Sequence, residues 1–208
     1  MSGIKTGDLV PNRDARHVPV IASRAGISIM VPMAFYFPTP RLAVRPWREG
    51  DRPALERMAT DVDMMRFVTS GRPWSDAQID EFLERQQHHI RNHGVCFGAV
   101  VHDTTETIIG LAGMQPLDGA RFDGDFELGW WIWKDHWGRG YAIEAISPFV
   151  VHARNMGLSR LFAVIDPPNS ASIRVAEKLG MRFERRMSAH DTVAAREDKP
   201  IALYQMEL

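Results

Sequence analysis

Along residues 126–133, FELGWWIW, apolar and mixed positions alternate. Phe126, Leu128, Trp130 and Ile132 point to one side, while Glu127, Gly129, Trp131 and Trp133 point to the other. Period two predicts a strand with one face on a core. Similar patterns predict strands at 41–47, 95–101, 107–114, 160–166, 183–188 and 201–208, the first of them an edge strand because of Pro46. Helical spacing predicts four longer elements. Residues 51–60 place Leu55 and Met58 together, and 75–92 set Ile79, Phe82, Leu83 and Ile90 on one face behind a Ser75–Gln78 capping box. Residues 140–155 carry Ala142, Ile146, Phe149, Val150 and Ala153 at helical spacing, with Pro148 expected to kink them and Gly157 to end them. The fourth helix, 169–179, closes at Gly180. The order β, α, α, three antiparallel strands, α, β, α, β, β predicts an α+β domain. Its mixed, mostly antiparallel sheet would be flanked by about four helices.

The junction between the strand at 126–133 and the helix after it reads HWGRGYAIEA, residues 136–145. Glycine costs stability inside either element, so Gly138 and Gly140 point to a backbone shape that other residues resist. A strand turning tightly into a helix aims several unpaired N–H groups, and the positive end of the helix dipole, at the turn. Such a place suits a phosphate. The P-loop pattern is absent, since no lysine and Ser/Thr pair follows the glycines. The dinucleotide fingerprint fails as well, because Ile143 stands where a third small residue is needed and the preceding strands form a meander.

Composition narrows the field. With 208 residues, 45% hydrophobic and 25% charged, the chain suits one globular domain with a core of its own. A net charge of -1 gives no reason to expect nucleic acid or a membrane as partner. The single cysteine, Cys96, sits in apolar VCFGAV, which predicts a buried thiol, no disulfide framework and a reducing cytoplasm. His89 and His93 lie four apart on a helix without a third ligand, so no metal site is expected. Residues 25–37 faintly resemble a secretory leader. They are too short to span a bilayer, contain Pro32 and precede no small-residue cleavage site, so residues 1–38 are expected to form an irregular or partly disordered arm and 39–208 the domain.

KDHWGRGYAIEA and VIDPPNSASIRVAEKLGM strongly resemble the GNAT superfamily of acyl-CoA N-acyltransferases. With RPWREGDRPAL and ELGWWI they look most like its ribosomal-protein N-terminal acetyltransferase (Rim-type) branch, over about residues 40–208. The resemblance implies a GNAT fold and acetyl transfer from acetyl-CoA to a primary amine. It also implies that a Gln/Arg-x-x-Gly-x-Gly/Ala turn, here Asp135 to Gly140, holds the pyrophosphate with Trp137, Gly138, Arg139, Gly140, Tyr141 and Ala142. Asp135 departs from the pattern, and its carboxylate should point away from a phosphate. Arg139 either contacts that phosphate or is a solvated residue at a helix start. The strand before the turn would be splayed from its neighbour, with N–H groups of Trp131, Ile132 and Trp133 facing the pantetheine arm; ordinary ladder pairing is the competing arrangement.

Acyl transfer from a thioester to an amine needs a neutral amine, donors for the oxyanion and a proton for the leaving thiolate. Glu127 is the candidate base, or else an ion-paired strand residue. Many superfamily members carry a tyrosine as the acid, and its place here reads Ala176. The resemblance puts Ser172 in that role, against a second reading as a helix cap, and Asn169 either on the pantetheine or at the cap. The acceptor groove would involve residues 61–75 and 185–200, with Arg66, Trp74 and Arg186 as candidates. Three functions compete: acetylation of a protein N-terminal α-amine, acetylation of a small amine, and a non-catalytic acyl-CoA-binding module. A homodimer is left open.

Overall fold

A computed structural model describes residues 35–117, 121–191 and 199–208. Among the described residues one sheet carries strands β1 (Phe37–Pro38), β2 (Leu42–Arg45), β3 (Phe97–His102), β4 (Ile108–Pro116), β5 (Phe126–Ile132), β6 (Arg160–Ile165), β7 (Arg182–Ser188) and β8 (Pro200–Glu207). Their order is β1-β2-β3-β4-β5-β6-β8-β7, antiparallel throughout except for β5 beside β6. The helices are α1 (Arg52–Ala59), α2 (Val62–Met65), α3 (Asp76–His93), α4 (Tyr141–Asn155) and α5 (Ser170–Lys178). This is the expected α+β fold with a mostly antiparallel sheet.

The alternation in the sequence becomes two covered faces. Leu128, Trp130 and Ile132 of β5 join Val44, Val100 and Ala112 under α4 and α5, around Phe149 and Ala176. Trp131 and Trp133 join Trp47, Ala99 and Leu111 under α1 and α3, around Leu55, Ile79 and Phe82. The capping box of α3 forms as read: the Ser75 hydroxyl accepts from Gln78 N–H, and the Gln78 amide oxygen accepts from Ser75 N–H. Gly94 ends α3 in the left-handed region at φ 71°. Helix α4 continues through Pro148 and stops before Gly157, at φ 77°. Among the described residues no helix is long and apolar enough to cross a membrane.

Three details differ from the sequence reading. The strand at 41–47 is not an edge: it ends at Arg45, before Pro46, and β1 pairs along its outer side. Helix α2 was not foreseen, because at one turn it is too short to show a period. It is held by the Asp61 side chain accepting from Met64 N–H (3.0 Å). The arm boundary at 38 also falls too late. Phe37 pairs in β1, and Phe35 is buried in the main core against Phe37 and Phe149, with ring centroids 5.3 and 5.7 Å away. Residues 1–34 of the expected arm lie outside the described residues.

If Phe35 is a core residue of the domain, Phe35→Ala should destabilise it by about 3 kcal/mol, in the range for deleting a buried phenyl ring. Urea unfolding followed by circular dichroism measures this, and an unchanged midpoint would return Phe35 to a dispensable arm.

Candidate active site

The site begins where β5 leaves β6. Strand β5 pairs with β4 along its whole length, from Pro116↔Phe126 to Gly110↔Ile132. With β6 it shares one pair, Glu127↔Phe162, after which the two strands part. A cleft of about 810 Å³ opens there. It is lined by Glu127, Trp131, Ile132, Trp137, Gly138, Gly140, Tyr141, Ala142, Asn169 and Ser172, so most of the residues expected at the site come together in one place.

The ladder decides which backbone groups face the split. Trp133 N–H donates to Ile109 O at 2.7 Å, across β4. Antiparallel pairing alternates, so Trp131 N–H also turns to β4 while Trp130 and Ile132, beyond the single pair with β6, turn theirs toward the gap. The expectation of three successive donors at 131–133 is therefore corrected to the alternate set, with Ile132 alone of the three retained. The Trp133 side chain is outside the cleft lining; it lies under the Arg57 guanidinium, 4.6 Å from the ring centroid. On the same face of β5, Trp131 packs against Trp74 and Phe82 at 5.3 and 6.2 Å and makes an aromatic wall.

Next comes the glycine turn. Gly138 and Gly140 have φ of 74° and 78°, the left-handed region that glycine enters freely. Gly140 is the N-cap of α4, and the helix's first internal bond is Glu144 N–H to Gly140 O (3.1 Å). The N–H groups of Tyr141, Ala142 and Ile143 precede it and open onto the cleft with the positive end of the helix dipole. Asp135 points away as expected, its carboxylate accepting from Trp133 Nε1 (3.0 Å). The Trp137 indole donates to Ile132 O (2.5 Å), which closes one acceptor at the mouth of the split. Arg139 is exposed and not part of the cleft lining.

Several residues that shape the turn escaped the sequence reading. Arg41, at the start of β2, ion-pairs with Glu144 (2.5 Å), donates to Arg139 O (3.1 Å) and lies over the Tyr141 ring (4.4 Å). Burial opposes the Glu144 charge, but hydrogen bonds from Arg41 and Thr39 outweigh it and hold its pKa below the ordinary value. Tyr141 OH meets His102 Nε2 at 3.1 Å. Beside it, burial and then the Arg139 charge lower the His136 pKa. Lys134 ties the turn to α2 through Asp61 and Asp63 (2.7 and 3.2 Å). The partners of Arg41 and Lys134 lie about 70 to 100 residues away in the chain, so no local pattern announces them.

At the inner end, Glu127 is buried, 3% exposed, and accepts from Gln115 Nε2 (2.7 Å). At the start of α5 the two readings of Ser172 separate. Asn169 Oδ1 accepts from Ser172 N–H (3.1 Å), so Asn169 is the cap, and the half-buried Ser172 is among the residues that line the cleft. Ala176 is fully buried in the core. Of the acceptor-groove candidates Trp74 lines the cleft, whereas Arg66 and Arg186 are exposed outside it. From residues 185–200, Ala189 and Lys199 contribute, and 192–198 lie outside the described residues. Cys96 is an inert thiol, 1% exposed, with burial pushing its pKa up to about 12. Among the described residues no group of three metal-binding side chains comes together.

A model of the acetyltransferase (GNAT) domain family matches residues 41–182. The chain is similar to the uncharacterized protein YkkB of Bacillus subtilis (strain 168). The two are 28% identical over 169 residues, 80% of this chain and 92% of YkkB. In fold it is similar to an acetyltransferase from Agrobacterium tumefaciens str. C58, at TM-score 0.69 and 24% identity over 89% of this chain and all of that one. It is also similar in fold to RimL, a ribosomal L7/L12 α-N-protein acetyltransferase solved in complex with coenzyme A. There the TM-score is 0.68 and the identity 13%, over 83% of this chain and 98% of that one.

Gly140→Val should weaken coenzyme A binding by at least about 10-fold, since a β-branched residue resists φ near 78° and deforms the start of α4. Isothermal titration of the folded variant checks it. Parental affinity would move the cofactor away from this turn.

Proposed function

The chain belongs to the GNAT acetyltransferase family, as an acetyl-CoA-dependent N-acetyltransferase, and from that premise we propose that its acceptor is the α-amine of a protein or peptide N-terminus. The observation that carries this reading is the charge of the cleft. Asp63, Glu81, Glu127 and Asp166 are balanced in its lining by Arg85, Arg174, Lys178 and Lys199. A polyamine or aminoglycoside carries several positive charges and needs an excess of carboxylates; among the described residues this lining offers none. A single ammonium needs one carboxylate, and Glu127 is buried at the inner end. The fold likeness to RimL, which acts on a ribosomal-protein α-amine, supports the same acceptor.

The residues present fit acetyl-CoA: an open helix N-terminus beside two left-handed glycines, and a split between parallel strands. Gly138, Gly140 and the N–H groups of Tyr141, Ala142 and Ile143 would receive the pyrophosphate. Ile132 N–H and the Asn169 side-chain amide, whose nitrogen the cap leaves over, would hold the pantetheine arm. Acetyl-CoA brings the acetyl thioester. Glu127 takes the proton that the amine loses, directly or through water, and Ser172 Oγ donates toward the departing sulfur. An α-amine titrates at about 7.7–8.0, against about 10.4 for a lysine, so a useful fraction is neutral at pH 7 and a modest base suffices.

A panel of peptides with varied N-termini, spermidine, an aminoglycoside and free amino acids tests the acceptor. Peptides should show the highest kcat/KM; a small amine in that place would overturn the reading, and tight coenzyme A binding without turnover of any amine would mark a binding module. Glu127→Gln should lower kcat/KM by about 10- to 100-fold at pH 7 and recover in part at pH 9, where the substrate deprotonates itself. Parental activity at pH 7 would remove Glu127 as the base. Ser172→Ala should lower kcat without raising the KM for acetyl-CoA, because its hydrogen bond strengthens only as the C–S bond breaks.

A further inference from the structure

Gln115 stands directly opposite Glu127 in the β4–β5 ladder, on the same face of the sheet. Both are buried, 7% and 3% exposed, and both line the cleft. The Gln115 amide nitrogen donates to Glu127 Oε1 at 2.7 Å. This fixes which way the amide faces: an ionised carboxylate only accepts, so the nitrogen must point at it and the oxygen away. Gln115 Oε1 is thereby left buried with no hydrogen-bond partner among the described residues. A buried acceptor of this kind is costly unless a donor reaches it.

We infer that Gln115 is a second acceptor-binding residue, whose carbonyl oxygen takes the amine N–H that Glu127 does not take, and that the enzyme thereby selects primary over secondary amines. The inference rests on the reading that the amine binds at Glu127. A neutral primary amine has one lone pair and two N–H bonds. The lone pair forms the new N–C bond while the C–S bond gives its electron pair to sulfur, which takes a proton from the Ser172 side. One amine proton leaves through Glu127. The second stays on nitrogen as the single N–H of the product amide, held by Gln115 Oε1 from start to finish. With two N–H directions fixed, the lone pair can only point toward the carbonyl carbon, an orientational gain that neither residue supplies alone. An N-methyl amine has no N–H left for Gln115.

The test is a double-mutant cycle between residue 115 and the acceptor, using the primary amine turned over fastest in the panel and its N-methyl derivative. The parent should prefer the primary amine by at least about 10-fold, the size of a hydrogen bond that joins a buried polar group. Gln115→Met keeps length and bulk but removes the oxygen, and the preference should fall to within about threefold. Gln115→Glu restores an acceptor and should keep the preference even where kcat drops. Taking the ratio within each variant cancels any disturbance of Glu127. If Gln115→Met does not fold, Gln115→Ala replaces it. A preference unchanged in the Met or Ala variant overturns the inference and leaves Gln115 as a structural partner of Glu127 whose oxygen binds water. Loss of activity in Glu127→Gln alongside that result keeps the site reading intact, whereas parental activity in Glu127→Gln brings down both.

Discussion

The parting of β5 from β6 after a single shared pair is the constraint on which the rest of the site depends. Each strand stays fully paired on its other side, β5 with β4 and β6 with β8, so the sheet loses little by opening in the middle. What it gains is a row of backbone groups facing a gap inside an otherwise close-packed domain. Unpaired buried backbone groups are costly, so such a gap is tolerated where a ligand or water completes it. Both the cleft and the start of α4 follow from the same divergence, because the chain leaves β5 at its far end and must turn at once to cover the sheet.

That turn needs more than two glycines. Left-handed φ values at Gly138 and Gly140 permit the shape, but permissive residues do not hold one. The holding comes from distant groups. Arg41 reaches from the start of β2 to both the Arg139 carbonyl and Glu144 on the first turn of α4. Lys134 reaches from the segment after β5 to Asp61 and Asp63 beside α2. The glycine turn is thus tied to the segment before β2, and the segment leading into the turn to the residues at α2. A group of donors preorganised in this way does not have to be ordered when the ligand arrives.

The inner end shows the opposite strategy. Glu127 sits almost fully buried with Gln115 as an amide partner, and the buried oxygen of that amide has no partner among the described residues. Gly113 and Gly129 separate this pair from Leu111 and Trp131 on the same face, and the Phe97 ring fills the space over Gly129. The aromatic wall and the polar pair are therefore distinct regions of one face.

Much of the fold was legible in the sequence because its signals are local. Period two in FELGWWIW, the Ser75–Gln78 box and the left-handed glycines each report on a few neighbouring residues, and each took the expected form. The elements of the site were legible for the same reason: a strand, a glycine turn and a helix start adjoin in the chain. Other matters were decided by tertiary structure alone. Whether Trp131 or Ile132 offers its N–H to the gap depends on the register with β4, which local periodicity leaves open. Whether Ser172 or Asn169 caps α5 depends on where the helix begins, a difference of three residues in its start. Arg41 with Glu144, and Gln115 with Glu127, are ordinary surface-type residues in the sequence; only the fold carries each to its partner, and it buries the second pair.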